Sequence, residues 1–111
     1  MISPTLIQEV KQLHGDFCSA LADSTRLLLL YALADGPRNV SELTQELDYP
    51  QPTISRHLKI LRDRGLVSAT RQGMMVQYSV TDKRIIDVLD ALRTIMRDGI
   101  QHRADLIVEN D

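Results

Sequence analysis

A chain of 111 residues with 43% apolar and 25% charged side chains has the composition of a single soluble domain with one modest core, and no apolar run in it approaches the roughly 18 residues of a membrane span. The net charge of −2 argues superficially against nucleic acid, but it is unevenly spread: residues 51–84 hold seven basic side chains against two acidic ones, giving +5, while the remainder carries −7. A lone cysteine, Cys18, excludes an intramolecular disulfide framework and fits a reducing compartment; with no charged-then-apolar leader opening the sequence, a cytoplasmic location is expected.

Ser3-Pro4 makes a helix start, with Ser as N-cap and Pro in the first turn, and Leu6, Val10, Leu13 and Phe17 follow at helical spacing, so a first helix is predicted over about 4–20. Gly15 in its middle costs about 1 kcal/mol against Ala and predicts a kink or break there. Asp23 can cap a second helix, whose run Leu27-Leu-Leu-Leu-Tyr-Ala-Leu33 is apolar almost all round and therefore central to the core; Asp35-Gly36-Pro37 ends it. Asn39 followed by Glu42 has the spacing of a capping box and opens a short helix with Val40, Leu43 and Leu47 inward, closed by a turn at Asp48-Tyr49-Pro50.

The stretch from Gln51 to Gly65 is the most informative in the chain. At 100° per residue Ile54, Leu58 and Leu61 share one face, with Arg56 and Lys59 nearly opposite, Ser55 and Arg62 on one flank and Thr53 on the other. That outward face carries donors suited to DNA: Arg56, Lys59 and Arg62 can neutralise phosphates or meet guanine edges, Gln51 can read adenine, and Thr53, Ser55 and His57 can contact phosphate or bases. Taken alone, the same pattern also fits an ordinary amphipathic surface helix. Gly65 supplies a left-handed cap. Beyond it Val67–Arg71 and Val76–Val80 alternate with period two around a turn at Gln72-Gly73-Met74, which predicts a hairpin. Arg71 and Gln72 on that wing can touch the minor groove or phosphates; the alternative is a small sheet that only covers the core. Thr81 can cap a last helix over about 82–106, in which Leu89, Leu92, Met96 and Ile100 recur every three to four residues. A stripe about 37 Å long exceeds what so small a domain can cover, so part of it is expected to pack on a second subunit. Glu109-Asn110-Asp111 are expected to fray.

This order gives a mainly α fold with a small β-hairpin, α-α-α-α-β-β-α, that of a winged helix-turn-helix spanning residues 1–111 as one domain. The strings Ala20-Leu-Ala-Asp-Ser-Thr-Arg-Leu27, Val40-Ser-Glu-Leu43, Gln51-Pro-Thr-Ile-Ser-Arg-His-Leu58-Lys-Ile-Leu61, Gly65-Leu-Val67 and Gln77-Tyr-Ser-Val80 together resemble the ArsR/SmtB family of transcriptional repressors over about residues 17–90. The resemblance implies a homodimer joined through its first and last helices, with Leu6, Val10, Leu89, Leu92, Met96 and Ile100 at the interface, and two recognition helices entering successive major grooves of an inverted-repeat operator. In many relatives a metal or an oxidant releases the DNA.

The family's effector sites can be checked position by position. Where it uses Cys-x-Cys-Asp-Leu, because soft thiolates bind arsenite, cadmium, lead or zinc, this sequence reads Asn39-Val-Ser41-Glu-Leu43. Where it pairs Asp-x-His with His-x-x-His or His-x-x-Glu, the positions hold Asp82, Arg84, Ile95 and Asp98, without an imidazole. No metal site and no cofactor is expected; His102 and Asp105 read as a solvated pair, and His14 as a surface or interface side chain. Pro50 also replaces the Ser that often caps the family's recognition helix. Cys18 is expected to pack as a small apolar side chain near the dimer interface. No nucleophile motif, phosphate-cradling Gly loop or isolated carboxylate pair suggests an enzyme. The expected function is a homodimeric DNA-binding repressor; the alternatives are a regulator answering to a thiol reagent or small ligand, and a winged helix used as a protein interaction module.

Overall fold

Three of the helices begin where a side chain takes up the free N–H groups of the first turn. Ser3 Oγ accepts from the Leu6 amide at 3.1 Å, Asp23 Oδ1 from the Arg26 amide at 3.1 Å, and Asn39 and Glu42 cap each other's backbone at 2.8 and 3.0 Å in the expected capping box. The computed structural model describes residues 1–110, with side chains through residue 106. Helix α1 runs over Pro4–Leu21, α2 over Ser24–Ala34, α3 over Val40–Leu47 and α4 over Gln51–Asp63; strands β1 (Val67–Gln72) and β2 (Met75–Val80) follow, and α5 spans Arg84–Asn110. The helix and strand order is the expected α-α-α-α-β-β-α.

The weak point at Gly15 appears as a π-helical stretch, His14–Cys18, inside α1, where the Ser19 hydroxyl donates back to the Gly15 carbonyl at 2.7 Å. At the start of α5 the expected cap is corrected. The Thr81 amide donates to the Leu66 carbonyl, and Asp82 takes the capping place instead, its Oδ1 accepting from the Arg84 amide at 2.9 Å, so the helix begins at Arg84. Its backbone continues to Asn110; Asp111, expected to fray with Glu109 and Asn110, lies outside the described residues.

Helix α2 lies at the centre, packed against α3, α4, α5 and β2. Its Leu29, Leu30 and Leu33 join Leu43, Ile54, Leu58 and Leu61 as the largest fully buried side chains, with Ala20, Ala32, Leu66, Val67 and Leu89 completing the core. Burial of each of the large aliphatic side chains stabilises the fold by about 1.5–3 kcal/mol. Leu28, by contrast, is exposed, so α2 is not covered all round. Tyr31 donates to Asp90 Oδ1 at 2.7 Å and stacks under Arg93 at 5.2 Å, pinning α5 to α2. Burial, then the bond to Asp90, raises the Tyr31 pKa.

The antiparallel hairpin pairs Val67 with Val80 through Gln72 with Met75, leaving Gly73 and Met74 as a two-residue turn. Gly73 has φ +64°, a left-handed value that glycine adopts without strain, and glycine first in a two-residue turn matches the twist of the strands. On its other edge β2 bonds to Arg38 through Tyr78, at 3.1 and 2.8 Å, a pairing with no signal in the sequence.

Among the described residues no single helix is long and apolar enough to cross a membrane; α1 and α2 pass such a test only as a pair bent by 85°, and α2 buries most of its leucines in the core. The radius of gyration, 17.6 Å, exceeds the roughly 13 Å of a compact chain of this length, because the long arms α1 and α5 project from the core.

Candidate nucleic-acid interface

Helices α3 and α4 are joined at Asp48-Tyr49-Pro50, where Asp48 closes α3 in a left-handed conformation, φ 57°, that Asp tolerates better than most residues. At the far end of α4, Leu66 N–H donates to the Leu61 carbonyl at 2.9 Å and Gly65 N–H to that of Arg62 at 3.0 Å, a Schellman cap with Gly65 at φ +80°. The chain thus leaves the helix directly into β1. Both ends of α4 are fixed by backbone, and its pitch on the core is fixed by Ile54, Leu58 and Leu61, all fully buried.

With that face inward, Gln51, Ser55, Arg56, Lys59 and Arg62 are exposed, and Thr53 is half-buried on the flank. Gln51 stands in the first turn, where the N-cap Pro50 offers no side-chain oxygen but its carbonyl accepts from the Thr53 and Ile54 amides at 3.0 and 3.2 Å, and Pro52 has no N–H to satisfy. Lys59 Nζ lies 2.9 Å from Asp63 Oδ2, an exposed pair one turn apart that a phosphate can replace.

His57 corrects the sequence reading. It stands three residues after Ile54 and four before Leu61, on the buried stripe, and is 8% exposed; it does not face outward with Ser55 and Arg56. Its Nδ1 lies 3.1 Å from Nη1 of Arg26, a residue to which the sequence reading gives no role. The Arg26 guanidinium also donates to the Ala20 carbonyl at 2.6 Å through Nε and to the Ser19 carbonyl at 3.3 Å through Nη2. One side chain therefore satisfies two terminal carbonyls of α1 and holds the inner face of α4. The only sequence signal for it is its place in the string Asp23-Ser-Thr-Arg26; local periodicity does not encode a contact across 31 residues.

On the wing, Arg71 and Gln72 are both exposed. Val67, Ala69 and Arg71 alternate onto the face whose base is buried, and Gln72 falls on the other, so the two side chains leave the tip from opposite faces. Of the basic groups of residues 51–84, Lys59, Arg64 and Arg84 pair with Asp63, Asp16 and Asp82 respectively; among the described residues Arg56, Arg62, Arg71 and Lys83 stand in no ion pair. The uncompensated charge is thus carried by α4, the wing and the turn before α5.

Away from this surface, Leu6, Val10 and Leu13 on α1 and Leu92, Ile95, Met96 and Ile100 on α5 are 44–66% exposed. Leu89 departs from the expected interface set: at 6% exposure it belongs to the core of its own chain, because it faces α2 at the point where α5 is still packed on the domain. Cys18 is exposed, not packed in the core of the single chain.

At the positions of the family's helix-borne metal site, Asp82 is engaged by Arg84, whose Nη2 lies 2.7 Å and Nε 3.1 Å from the carboxylate oxygens. Hydrogen bonds from the Arg84 side chain and backbone hold the Asp82 pKa at about 2. Among the described residues no group of three His, Cys, Asp or Glu side chains is gathered closely enough to hold a metal ion.

A family model described as "Bacterial regulatory protein, arsR family" matches residues 23–69, from the cap of α2 into β1. The chain is 40% identical over 95 residues to a probable mercury resistance operon repressor of Streptomyces lividans, covering 82% of this chain and 76% of that protein. It is 36% identical over 94 residues to the HTH-type transcriptional repressor SmtB of Mycobacterium tuberculosis, covering 84% and 70%. The solution structure of a homodimeric winged helix-turn-helix DNA-binding domain from Mycobacterium bovis, a possible ArsR-family transcriptional regulator, superposes with a TM-score of 0.77 at 25% identity over 90% of this chain and 92% of that one. The fold is a winged helix-turn-helix, and the chain belongs to the arsR family of bacterial regulatory proteins, DNA-binding transcriptional regulators and not enzymes.

Proposed function

We propose that the chain is a homodimeric repressor that binds an inverted-repeat operator through the outward face of α4 and the wing, and that it does not answer to metal at the two usual family positions. The observation that carries the reading is α4 itself: Ile54, Leu58 and Leu61 are fully buried, and the opposite face presents Gln51, Ser55, Arg56, Lys59 and Arg62. A helix so fixed can place donors against base edges and phosphates with little loss of freedom on binding. Arg71 and Gln72 extend the contact along the backbone or into the minor groove. The acidic remainder of the chain disfavours any other approach of DNA.

The exposed apolar residues of α1 and α5 support a second copy as partner. A soluble monomer rarely leaves so long an apolar stripe in water, and the similar Mycobacterium bovis domain is homodimeric. Two recognition helices related by a twofold axis then read two half-sites about one helical turn apart. Asn39 and Ser41 stand where thiolates would be needed, and Arg84 occupies the carboxylate of Asp82, so neither usual site can gather its ligands. Gel-shift titration of a duplex selected from genomic fragments tests the reading. It predicts tight, salt-sensitive binding that changes by less than about threefold with micromolar zinc, cadmium or arsenite, below ~0.7 kcal/mol of coupling. Failure to bind any duplex would overturn the first part, and a tenfold metal-dependent release the second.

A further inference from the structure

The tip of the wing carries an apolar side chain that its own chain leaves uncovered. Met74, the second residue of the two-residue turn, is 99% exposed, and Met75 beside it is 48% exposed. The base of the hairpin packs on α2, α3 and α4, so the tip reaches past the core. Turn positions of this kind ordinarily hold Gly, Asn, Asp or Ser, and nothing in the hairpin requires a long thioether there. Two features point to what the tip meets. Gln72 pairs with Met75 and Arg71 with Val76 across the ladder, so an amide and a guanidinium that stands in no ion pair among the described residues lie within one step of the methionines. Arg71 is also the single cation between Val67 and Val80, whereas an anionic bilayer would call for a basic cluster beside the apolar tip. One cation flanking a flexible apolar side chain fits a slot with anionic phosphate rims, sugar C–H walls and base steps between which apolar side chains can insert, as the minor groove of DNA is.

We propose that Met74 is an apolar wedge that enters the minor groove beside each half-site, packing on sugar edges and loosening one base step, while Arg71 meets the rim. The inference rests on the DNA-binding reading above and adds to it an interaction whose contribution does not depend on salt. Because counterion release follows phosphate neutralisation, removing an apolar side chain lowers affinity without changing the slope of log affinity against log salt.

The test uses the full chain and the tightest-binding duplex recovered by selection from a randomised double-stranded pool. Met74→Ala is expected to weaken binding about tenfold at unchanged salt slope, Met74→Leu to bind within about twofold of wild type, and Arg71→Ala to flatten the slope. A fluorescent aminopurine analogue, moved through the flanks of the half-sites, should brighten at one step with wild type and Met74→Leu and stay dark with Met74→Ala. Binding by Met74→Ala within about twofold of wild type, or a weakening that follows the salt slope, overturns the wedge and leaves the DNA-binding reading standing. A wild-type chain that binds no duplex overturns both, as does binding to phosphatidylglycerol vesicles in its place.

Discussion

Nη1 of Arg26 lies 3.1 Å from Nδ1 of His57, joining the first turn of α2 to the buried face of the recognition helix. A guanidinium has no acceptor, so the ring nitrogen accepts and Nε2 carries the imidazole proton. The Arg26 side chain is 12% exposed and donates also to the carbonyls of Ala20 and Ser19, so three helices meet on one side chain.

Removing it leaves those carbonyls and the imidazole without a donor. Arg26→Met should lower the free energy of unfolding in urea by about 1–3 kcal/mol and weaken operator binding as α4 loses a support. His57→Leu should cost less, because Arg26 keeps its two carbonyl partners. Equal costs, or none for either, would show that this pairing does not hold α4 in place.

Acid should destabilise the fold in a defined window. The pKa of Asp23 is lowered chiefly by the amide of Arg26, and that of Asp82 from 3.8 to about 2 chiefly by the Arg84 side chain. Both carboxyls bind protons less readily folded than unfolded, so their stabilising effect is complete well above pH 3.8 and is lost as pH falls, for Asp82 between 3.8 and about 2. Urea unfolding as a function of pH should show this fall, and Asp23→Ala, which loses an N-cap of about 1 kcal/mol at neutral pH, should show a shallower one. An acid profile unchanged in Asp23→Ala would remove that cap from the account.

In the proposed mode of binding, Asp63 competes with DNA for Lys59. Asp63→Asn frees the ammonium and removes an anion from the DNA-facing surface, and should tighten operator binding about twofold or more at low salt. Arg56→Ala and Lys59→Ala should each flatten the salt slope by about 0.9, the value for one phosphate no longer neutralised. If Asp63→Asn weakens binding and neither alanine changes the slope, another face of α4 meets the DNA.

The two leucines Leu89 and Leu92 separate the core from the proposed interface on one helix. Leu92, 55% exposed, should tolerate Glu as a folded, helical monomer by light scattering and circular dichroism, with operator binding abolished. Leu89, 6% exposed, should not tolerate Glu at all, because a carboxylate would be buried without a partner. A Leu92→Glu chain that remains dimeric would place the interface elsewhere.

Local rules account for most of the fold. The caps at Ser3, Asp23 and Asn39, the left-handed Gly65, the turn at Gly73 and the stripe Ile54, Leu58, Leu61 each depend on residues within one or two turns, and each stands in the structure where the sequence places it. What escapes a reading of the sequence depends on distant partners. The spacing of His57 to Ile54 and Leu61 signals burial, but its polarity argues for the outward face; only Arg26, far off in sequence, gives the buried ring its hydrogen-bond partner. Leu89 carries the same spacing signal as Leu92, and what distinguishes them is where α5 leaves the domain, which periodicity does not encode. The Arg38 and Tyr78 pairing likewise has no local signature.

The central claim is that two copies of α4 read DNA together. Selection of duplexes bound by the wild-type chain from genomic fragments, followed by sequencing, tests it most directly. The account predicts enrichment of an inverted repeat whose half-sites lie about 10 base pairs apart, centre to centre, and disappearance of that enrichment with Leu92→Glu. Enrichment of a lone half-site that survives Leu92→Glu, or no enrichment of any sequence, would contradict it.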